Sequence, residues 1–134
     1  MPSTAFHMND KQTAMLSLVA RLMLGFLFLY SGWGKLMAPE ATIAYIASAG
    51  LPLPMLGYAV ALVVELLVAA AFVVGYQLRW SALILCVFSV ASALAFHSNF
   101  AEKMHLLQFM KNIAIGGGFL QLALLTPRTK STVS

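Results

Sequence analysis

The chain has 134 residues, of which 61% are hydrophobic and only 9% are charged, and its mean hydropathy is +0.89. A soluble domain carries about 25% charged residues, so this composition excludes a water-soluble globular protein and indicates that lipid is the main solvent. The net charge of +4 does not predict a nucleic-acid partner, because the cations are scattered and form no basic stripe.

The first apolar run covers about residues 14–34 and follows a polar tail of residues 1–13. About 20 helical residues cross the hydrocarbon core of a bilayer, and this run is too long for the apolar region of a signal peptide. Arg21 interrupts the run, and Gly25 is small enough to let two helices approach closely. We therefore predict a first membrane span that contains a buried cation.

A less apolar stretch follows the first span. Pro39 is typical of a first helical position, whereas Gly50 and Pro52 together form a stop signal. The apolar residues between them share one helical face, which predicts a short amphipathic helix lying on the membrane surface. An ordered loop is the alternative.

Three further apolar runs cover about residues 54–76, 80–97 and 106–125. Only residues 77–79 separate the second run from the third, so we predict that these two spans are tight antiparallel neighbours. The sequence thus predicts an all-α integral membrane protein, a four-transmembrane-helix bundle with a short interfacial helix between spans 1 and 2. A tail of residues 127–134 ends the chain.

Three consecutive glycines, Gly116, Gly117 and Gly118, lie inside the fourth run. A phosphate-binding loop would need a preceding strand and a lysine after the glycines. We assign these glycines, like Gly25, to close helix packing.

The cations outside the spans indicate the orientation. Cytoplasmic segments carry an excess of lysine and arginine. One side of the predicted bundle carries more of these cations than the other, and each cation on the poorer side has an acidic neighbour, so we expect both termini in the cytoplasm. The richer side has Lys11, Arg79, Arg128 and Lys130, and the poorer side has Lys35 and Lys103.

Glu65 lies in the middle of the second apolar run. A charged residue at the centre of a membrane helix costs roughly 2.5–3.5 kcal/mol on insertion scales, so this carboxylate needs a partner. At roughly 1.5 Å per residue, straight helices place Arg21 within about 7 Å of its depth. We therefore predict an intramembrane ion pair between Arg21 and Glu65, either as a structural clamp or as part of a site.

A second polar group is predicted near the opposite membrane surface. It combines Lys35, His97, Lys111 and Asn112, which lie at the ends of three different spans. Converging cations and a histidine suit an anionic or carbonyl-bearing ligand such as a quinone head group. The alternative is that the lysines extend to lipid head groups and His97 only ends a helix.

Metal and disulfide chemistry receive no support from the sequence. Cys86 is the only cysteine, so no intrachain disulfide can form. His97 and His105 lack the spacing of a metal site, and no carboxylate cluster accompanies them. We predict no metal site, and a quinone is the one cofactor that we keep open.

Several motifs in this order and spacing resemble the DoxX family, in its bacterial inner-membrane branch. The resemblance covers about residues 15–130. It rests on Arg21, Phe28-Leu29-Tyr30-Ser31-Gly32-Trp33-Gly34-Lys35, Gly50-Leu51-Pro52, Glu65, Gly75, Arg79, Phe96-His97-Ser98-Asn99-Phe100, Phe109-Met110-Lys111-Asn112 and Gly117-Gly118.

The resemblance implies a multi-pass protein of the bacterial inner membrane with four helices and cytoplasmic termini. The family is named after a subunit associated with a terminal quinol oxidase, and a related branch belongs to a thiosulfate:quinone oxidoreductase. This chain has no recognisable ligand set for haem, copper or an iron–sulfur cluster. We therefore expect that it is not an enzyme by itself.

Three functions stay open at this point. The first is an accessory or quinone-linked subunit of a membrane redox system, which binds a small molecule in its polar bundle core. The second is a structural or scaffold protein without a ligand, and the third is an oligomeric conduit for a small solute or protons. The expected partners are the lipid bilayer, a membrane oxidoreductase subunit or further copies of the chain.

Overall fold

The computed structural model describes residues 7–128. This part of the chain is all-helical, as predicted, and contains no strand. The predicted tails extend beyond it, so residues 1–6 and 129–134, including Lys130, lie outside the described residues. The elements are α1 (Asp10–Met37), α2 (Pro39–Ser48), α3 (Pro54–Leu62), a π-helical segment (Val63–Val68), α4 (Ala69–Val74), α5 (Leu78–Phe96) and α6 (Lys103–Leu125).

Three helical stretches are long and apolar enough to cross a membrane: Asp10–Met37, Pro54–Val74 and Leu78–Phe96. The second is one continuous rod made of α3, the π-helical segment and α4. Helix α6 has a sufficient length of 23 residues, but Lys111 and Asn112 make it more polar. The fourth predicted span therefore stays a prediction.

Helix α1 begins earlier and ends later than the predicted span of residues 14–34. Asn9 caps its first turn, because its Oδ1 accepts a hydrogen bond from the Gln12 backbone N–H at 2.8 Å. The Gln12 side chain accepts a reciprocal bond from the Asn9 N–H at 3.1 Å. This capping box fixes the start of α1 at Asp10, outside the apolar run.

The short helix predicted between spans 1 and 2 is present as α2, with Pro39 at its first position. Ile46 is its buried residue. Ile46 packs against Gly57 of α3, where an added Cβ atom would lie 3.4 Å from the Ile46 side chain. The absence of a side chain at Gly57 thus leaves room for Ile46 between α2 and α3. The position of α2 on the membrane surface stays a prediction.

The turn between α4 and α5 is tight, as the sequence predicted. Gly75 adopts a φ of +83°, which is left-handed backbone that glycine adopts without strain. The Tyr76 N–H then donates to the Ala71 carbonyl at 2.8 Å, and Gln77, with a φ of +47°, leads directly into α5. Helices α4 and α5 consequently lie side by side.

The core is built around three phenylalanines from three different helices. Phe119 of α6 packs edge-to-face against Phe28 of α1 and Phe72 of α4, with ring centroids 5.6 and 5.1 Å apart. Leu85 of α5 is fully buried in the same cluster. This aromatic core joins α1, α4, α5 and α6 into one bundle and leaves most of the outer apolar side chains exposed, as expected for a lipid-facing surface.

Candidate functional site

Glu65 is paired with Lys35. The Lys35 Nζ lies 3.0 Å from Glu65 Oε2 and donates a hydrogen bond to Glu65 Oε1 at 3.1 Å. Ser31, one helical turn before Lys35, accepts from Nζ at 2.6 Å and donates to Glu65 Oε1 at 2.9 Å. The three side chains form a closed polar triangle between α1 and the π-helical segment.

The carboxylate of Glu65 is almost completely buried, with 6% of its side chain exposed, whereas Lys35 retains 29%. Glu65 Oε2 is close to the ammonium, but it has no hydrogen-bond donor in good geometry among the described residues. Oε2 therefore pairs with the ammonium by charge at 3.0 Å and keeps the capacity to accept a hydrogen bond. A buried acceptor of this kind is costly unless a further donor reaches it.

The backbone places Glu65 against α1 in two ways. Residue 65 lies inside the π-helical segment Val63–Val68, and π-helical turns occur frequently at functional sites because they displace a side chain from the regular helical pattern. Gly32 of α1 faces it directly, since a Cβ atom at Gly32 would lie only 2.8 Å from Glu65 Cβ. The missing side chain at position 32 thus allows the two helices to approach at the level of the carboxylate.

A cavity of about 560 Å³ opens beside this triangle, and we call it the central cavity. One side is polar and the rest is apolar and aromatic, with side chains from α1, α2, the Pro54–Val74 rod, α5 and α6. The polar residues of the lining, which we call its polar side, are Ser31, Lys35, Thr42, Glu65, Ser89, Ser92, His97 and Asn112. The apolar side includes Phe28, Tyr45, Ile46, Val60, Phe88 and Phe96.

The predicted ligand-binding group is therefore assembled only in part. Lys35, His97 and Asn112 line the central cavity. Lys111 is exposed on α6 and does not line this cavity, because successive helical residues point about 100° apart. Lys111 thus lies apart from the other three residues, whereas Glu65 lines the cavity with them, and a ligand-binding role for this group stays a prediction.

The predicted Arg21–Glu65 ion pair is also wrong. Arg21 instead donates from Nε to the Val73 carbonyl at 3.0 Å and from Nη1 to Ser17 Oγ at 2.7 Å. The Val73 carbonyl belongs to the last turn of α4, where helix carbonyls have no partner within the helix and a cation is favourable. Arg21 does join the first two predicted spans, but through the backbone at the end of the second.

Of the four glycines assigned to helix packing, two lie at close contacts with another helix and two do not. Gly25 packs against Val73 so closely that a Cβ atom would overlap it, and a Cβ atom at Gly116 would lie 3.1 Å from Val90 of α5. Gly117 and Gly118 have open space at their Cβ positions among the described residues, so their assignment to helix packing stays a prediction.

His97 and His105 lie at the rim of the bundle, where α5 ends and α6 begins. Their ring centroids are 5.7 Å apart, and His105 Nε2 lies 3.4 Å from Glu102 Oε2. Burial lowers the pKa of His97 below its usual value, and the neighbouring His105 lowers it further. The Nδ1 atoms of both histidines are buried without a hydrogen-bond partner among the described residues. Residues 7–128 hold no cluster of three or more metal-ligating side chains.

Residues 16–98 match the sequence profile of the DoxX family. The chain belongs to the DoxX family. Inner membrane protein YqjF of Escherichia coli (strain K12) is 40% identical to it over 112 residues, which covers 82% of this chain and 83% of YqjF. Inner membrane protein YphA of the same organism is 32% identical over 117 residues, with 84% of each protein covered. No solved structure matches the chain.

These relatives and the apolar helices together identify the chain as a DoxX-family protein of the inner membrane. The family resemblance given by the motifs is thus confirmed. The match includes α1, α2, the Pro54–Val74 rod and α5, which supply all but one of the polar residues of the central cavity. Asn112 alone lies beyond the matched residues.

Sequence reasoning missed the contributions of Ser31, Ser89 and Tyr58. Ser89 donates to the Asn112 carbonyl at 2.7 Å, which ties α5 to α6. Tyr58 donates to the Lys35 carbonyl at 2.9 Å and holds the end of α1. The i, i+4 spacing of Ser31 and Lys35 was visible in the sequence and would have placed both side chains on one face.

Proposed function

We propose that this DoxX-family protein binds a small molecule with an apolar body and a hydrogen-bonding head group, of which a quinone is the example, in the central cavity. The observation that carries this proposal is the meeting of a buried ion pair with an aromatic-lined cavity of about 560 Å³. Ligand pockets have volumes of about 300–1,000 Å³ and combine mostly apolar walls with a few polar groups.

The polar side of the cavity suits a carbonyl-bearing ring. An ammonium has three donors, and Lys35 directs two of its hydrogen bonds to Ser31 Oγ and Glu65 Oε1. Glu65 Oε2 lies 3.0 Å from Nζ without a hydrogen bond, so a ligand oxygen would compete with Oε2 for the third donor. Asn112 and His97 border the same space. Because Glu65 neutralises Lys35, the site favours a neutral acceptor such as a quinone carbonyl over an anion.

The apolar side suits an isoprenoid or alkyl chain. Phe28, Phe88 and Phe96 line it, and the Tyr45 ring of α2 stacks on Phe96 with centroids 5.3 Å apart. Helix α2 thus contributes to one wall of the cavity through Tyr45 and Ile46.

The wider role that fits this site is an accessory or quinone-linked subunit of a membrane redox system. We include in this proposal α6 as the fourth membrane span and both termini in the cytoplasm. Arg79 and Arg128 support this orientation, since they lie at one end of the bundle.

Thermal unfolding of the purified protein with ubiquinone and menaquinone analogues tests the binding proposal. Ligand that binds only the folded state raises the unfolding temperature. Asn112→Leu removes a polar group from the cavity and should abolish most of this rise, whereas Lys111→Met alters the exposed neighbour and should preserve it. The proposal fails if no quinone analogue stabilises the wild type, or if the two variants respond alike.

A structural or scaffold role is the second candidate, and the exposed face of α6 favours it. Lys111 and Gln121 are exposed there, and Gly118 lies between them with open space at its Cβ position. Polar groups and small residues on a lipid-facing helix favour contact with another helix. An oligomeric conduit would need the same contact.

Disulfide crosslinking of Gly118→Cys in native membranes, in a Cys86→Ser background, tests this second candidate. A crosslinked homodimer, or a reproducible conjugate with another membrane protein, is the expected result. The same substitution at Val87, which is exposed on α5, is the control, and equal crosslinking at both positions would count against a specific face.

A further inference from the structure

A second pocket lies at the end of the bundle opposite the Lys35–Glu65 pair, and we call it the turn pocket. It has a volume of about 880 Å³ and is formed by the turn between α4 and α5 together with the residues that follow α6. Its lining includes Tyr76, Gln77, Arg79, Trp80 and Arg128. None of the functions considered above uses it.

The turn pocket is strongly positive. Arg79 and Arg128 both line it, and none of its lining residues in the described part of the chain is acidic. Within residues 7–128, neither arginine forms an ion pair or a side-chain hydrogen bond. The Arg21 guanidinium is also nearby, since it would lie 3.7 Å from a Cβ atom at Gly75, another lining residue.

The backbone adds to this positive potential. Helix α5 begins at Leu78 beside the pocket, and no side chain caps its first turn. The first N–H groups of a helix have no partner within the helix, and they favour a negative group at that end. Guanidinium groups and helix N–H groups are the donors that suit phosphate oxygens.

The residues around the turn pocket indicate that the phosphate belongs to a lipid head group. Trp80 and Tyr76 are largely exposed, at 63% and 66%, and such rings collect at the level of the lipid head groups. The pocket lies where two apolar stretches, Pro54–Val74 and Leu78–Phe96, meet. Basic pockets between membrane helices bind anionic lipid head groups.

We propose that the turn pocket binds the phosphate head group of an anionic phospholipid. The acyl chains lie along the exposed apolar surface of α5, and Arg79 and Arg128 hold the phosphate. This proposal is independent of quinone binding, since the two cavities share no lining residue.

Trp80 provides a direct readout. The chain has two tryptophans, so Trp33→Phe leaves Trp80 as the only one. The protein is reconstituted into vesicles of phosphatidylglycerol and phosphatidylcholine, with bromine on the acyl chains of one lipid or the other. Quenching of Trp80 then gives the ratio of the two lipids next to the pocket.

We expect this ratio to favour phosphatidylglycerol over its share of the bilayer. Arg79→Gln and Arg128→Gln should each reduce the preference about fivefold, and the double variant should approach a ratio of one. Lys11→Gln removes the same charge from α1, away from the pocket, and should keep the preference.

Two results would overturn the proposal. The first is a ratio of one in the Trp33→Phe parent, because a site that binds only free phosphate would give no preference between the two lipids. The second is a preference that survives the double arginine substitution. Thermal unfolding of each variant in detergent confirms that it is folded.

Discussion

Lys35 at the end of α1 and Glu65 in the π-helical segment form an ion pair of 3.0 Å across 30 positions of sequence. The pair contains the most deeply buried charge among the described residues, and it forms one edge of the central cavity. It therefore contributes both to the stability of the bundle and to the chemistry of the cavity.

Removing Lys35 should destabilise the protein strongly. Lys35→Met leaves the buried Glu65 carboxylate without its cation, and loss of one member of a buried pair costs about 3–5 kcal/mol. The double variant Lys35→Met/Glu65→Leu should recover most of this loss, because well-packed apolar residues often replace a buried pair without cost. The free energy of unfolding in mixed micelles measures both, and a double variant weaker than Lys35→Met would contradict the pairing.

Arg21 should be energetically independent of Glu65. Arg21→Gln should cost about 1–3 kcal/mol, because the Val73 carbonyl loses a charged donor. A double-mutant cycle of Arg21→Gln with Glu65→Gln should be additive within about 0.5 kcal/mol, as is usual for residues without shared partners. The matching cycle of Lys35→Met with Glu65→Gln should show clear coupling, and the reverse pattern would restore the pair predicted from the sequence.

Glycine substitutions should separate packed from open positions. Gly25→Ala forces a methyl group into Val73 and should cost about 1–3 kcal/mol, as overpacking does. Gly117→Ala is the matched control in a helix interior, and it should be neutral or slightly stabilising because alanine is the better helix former. Thermal unfolding of the two variants measures the difference, and equal effects would count against this packing.

His97 at the rim of the bundle predicts a dependence of stability on pH. The pKa of His97 is lowered from 6.5 in the folded state, so the unfolded chain binds the proton more tightly. The stability is therefore fully present above pH 6.5, and it falls as the pH is lowered through the folded pKa. His105 lies beside His97, and Glu102 lies 3.4 Å from the His105 Nε2.

Unfolding temperatures measured on both sides of pH 6.5 test this dependence. His97→Asn should reduce the slope. The control is His7→Asn, at an exposed position before the start of α1, and it should leave the slope unchanged. An unaltered slope in His97→Asn would mean that other groups are responsible.

The sequence predicted the helices well because local signals determine their ends. Pro39 and Pro54 begin helices, Gly75 ends one, and the apolar runs between them match the helical stretches. The relative heights of the helices were harder to predict, because they depend on packing between residues that are distant in sequence.

The Arg21–Glu65 prediction failed for this reason. It assumed a first span of about 20 residues, whereas α1 has 28. In the fold, Gly32 lies opposite Glu65, and Arg21 is eleven residues away from Gly32, or about 16 Å along the helix. The π-helical segment has no local sequence signal that we recognise, and Lys35 reaches Glu65 through its flexible four-carbon stem.

The most direct test of the central claim is titration of the purified protein with a short-chain ubiquinone analogue. The wild type is compared with a variant in which a larger side chain fills the central cavity. Ser92 lines the cavity, so Ser92→Phe fills it, whereas Ala114→Phe adds the same ring to the exposed face of α6. We expect saturable binding to the wild type and to Ala114→Phe, and no binding to a folded Ser92→Phe. A wild type that does not bind, or a Ser92→Phe variant that binds equally well, would contradict a ligand site in the central cavity.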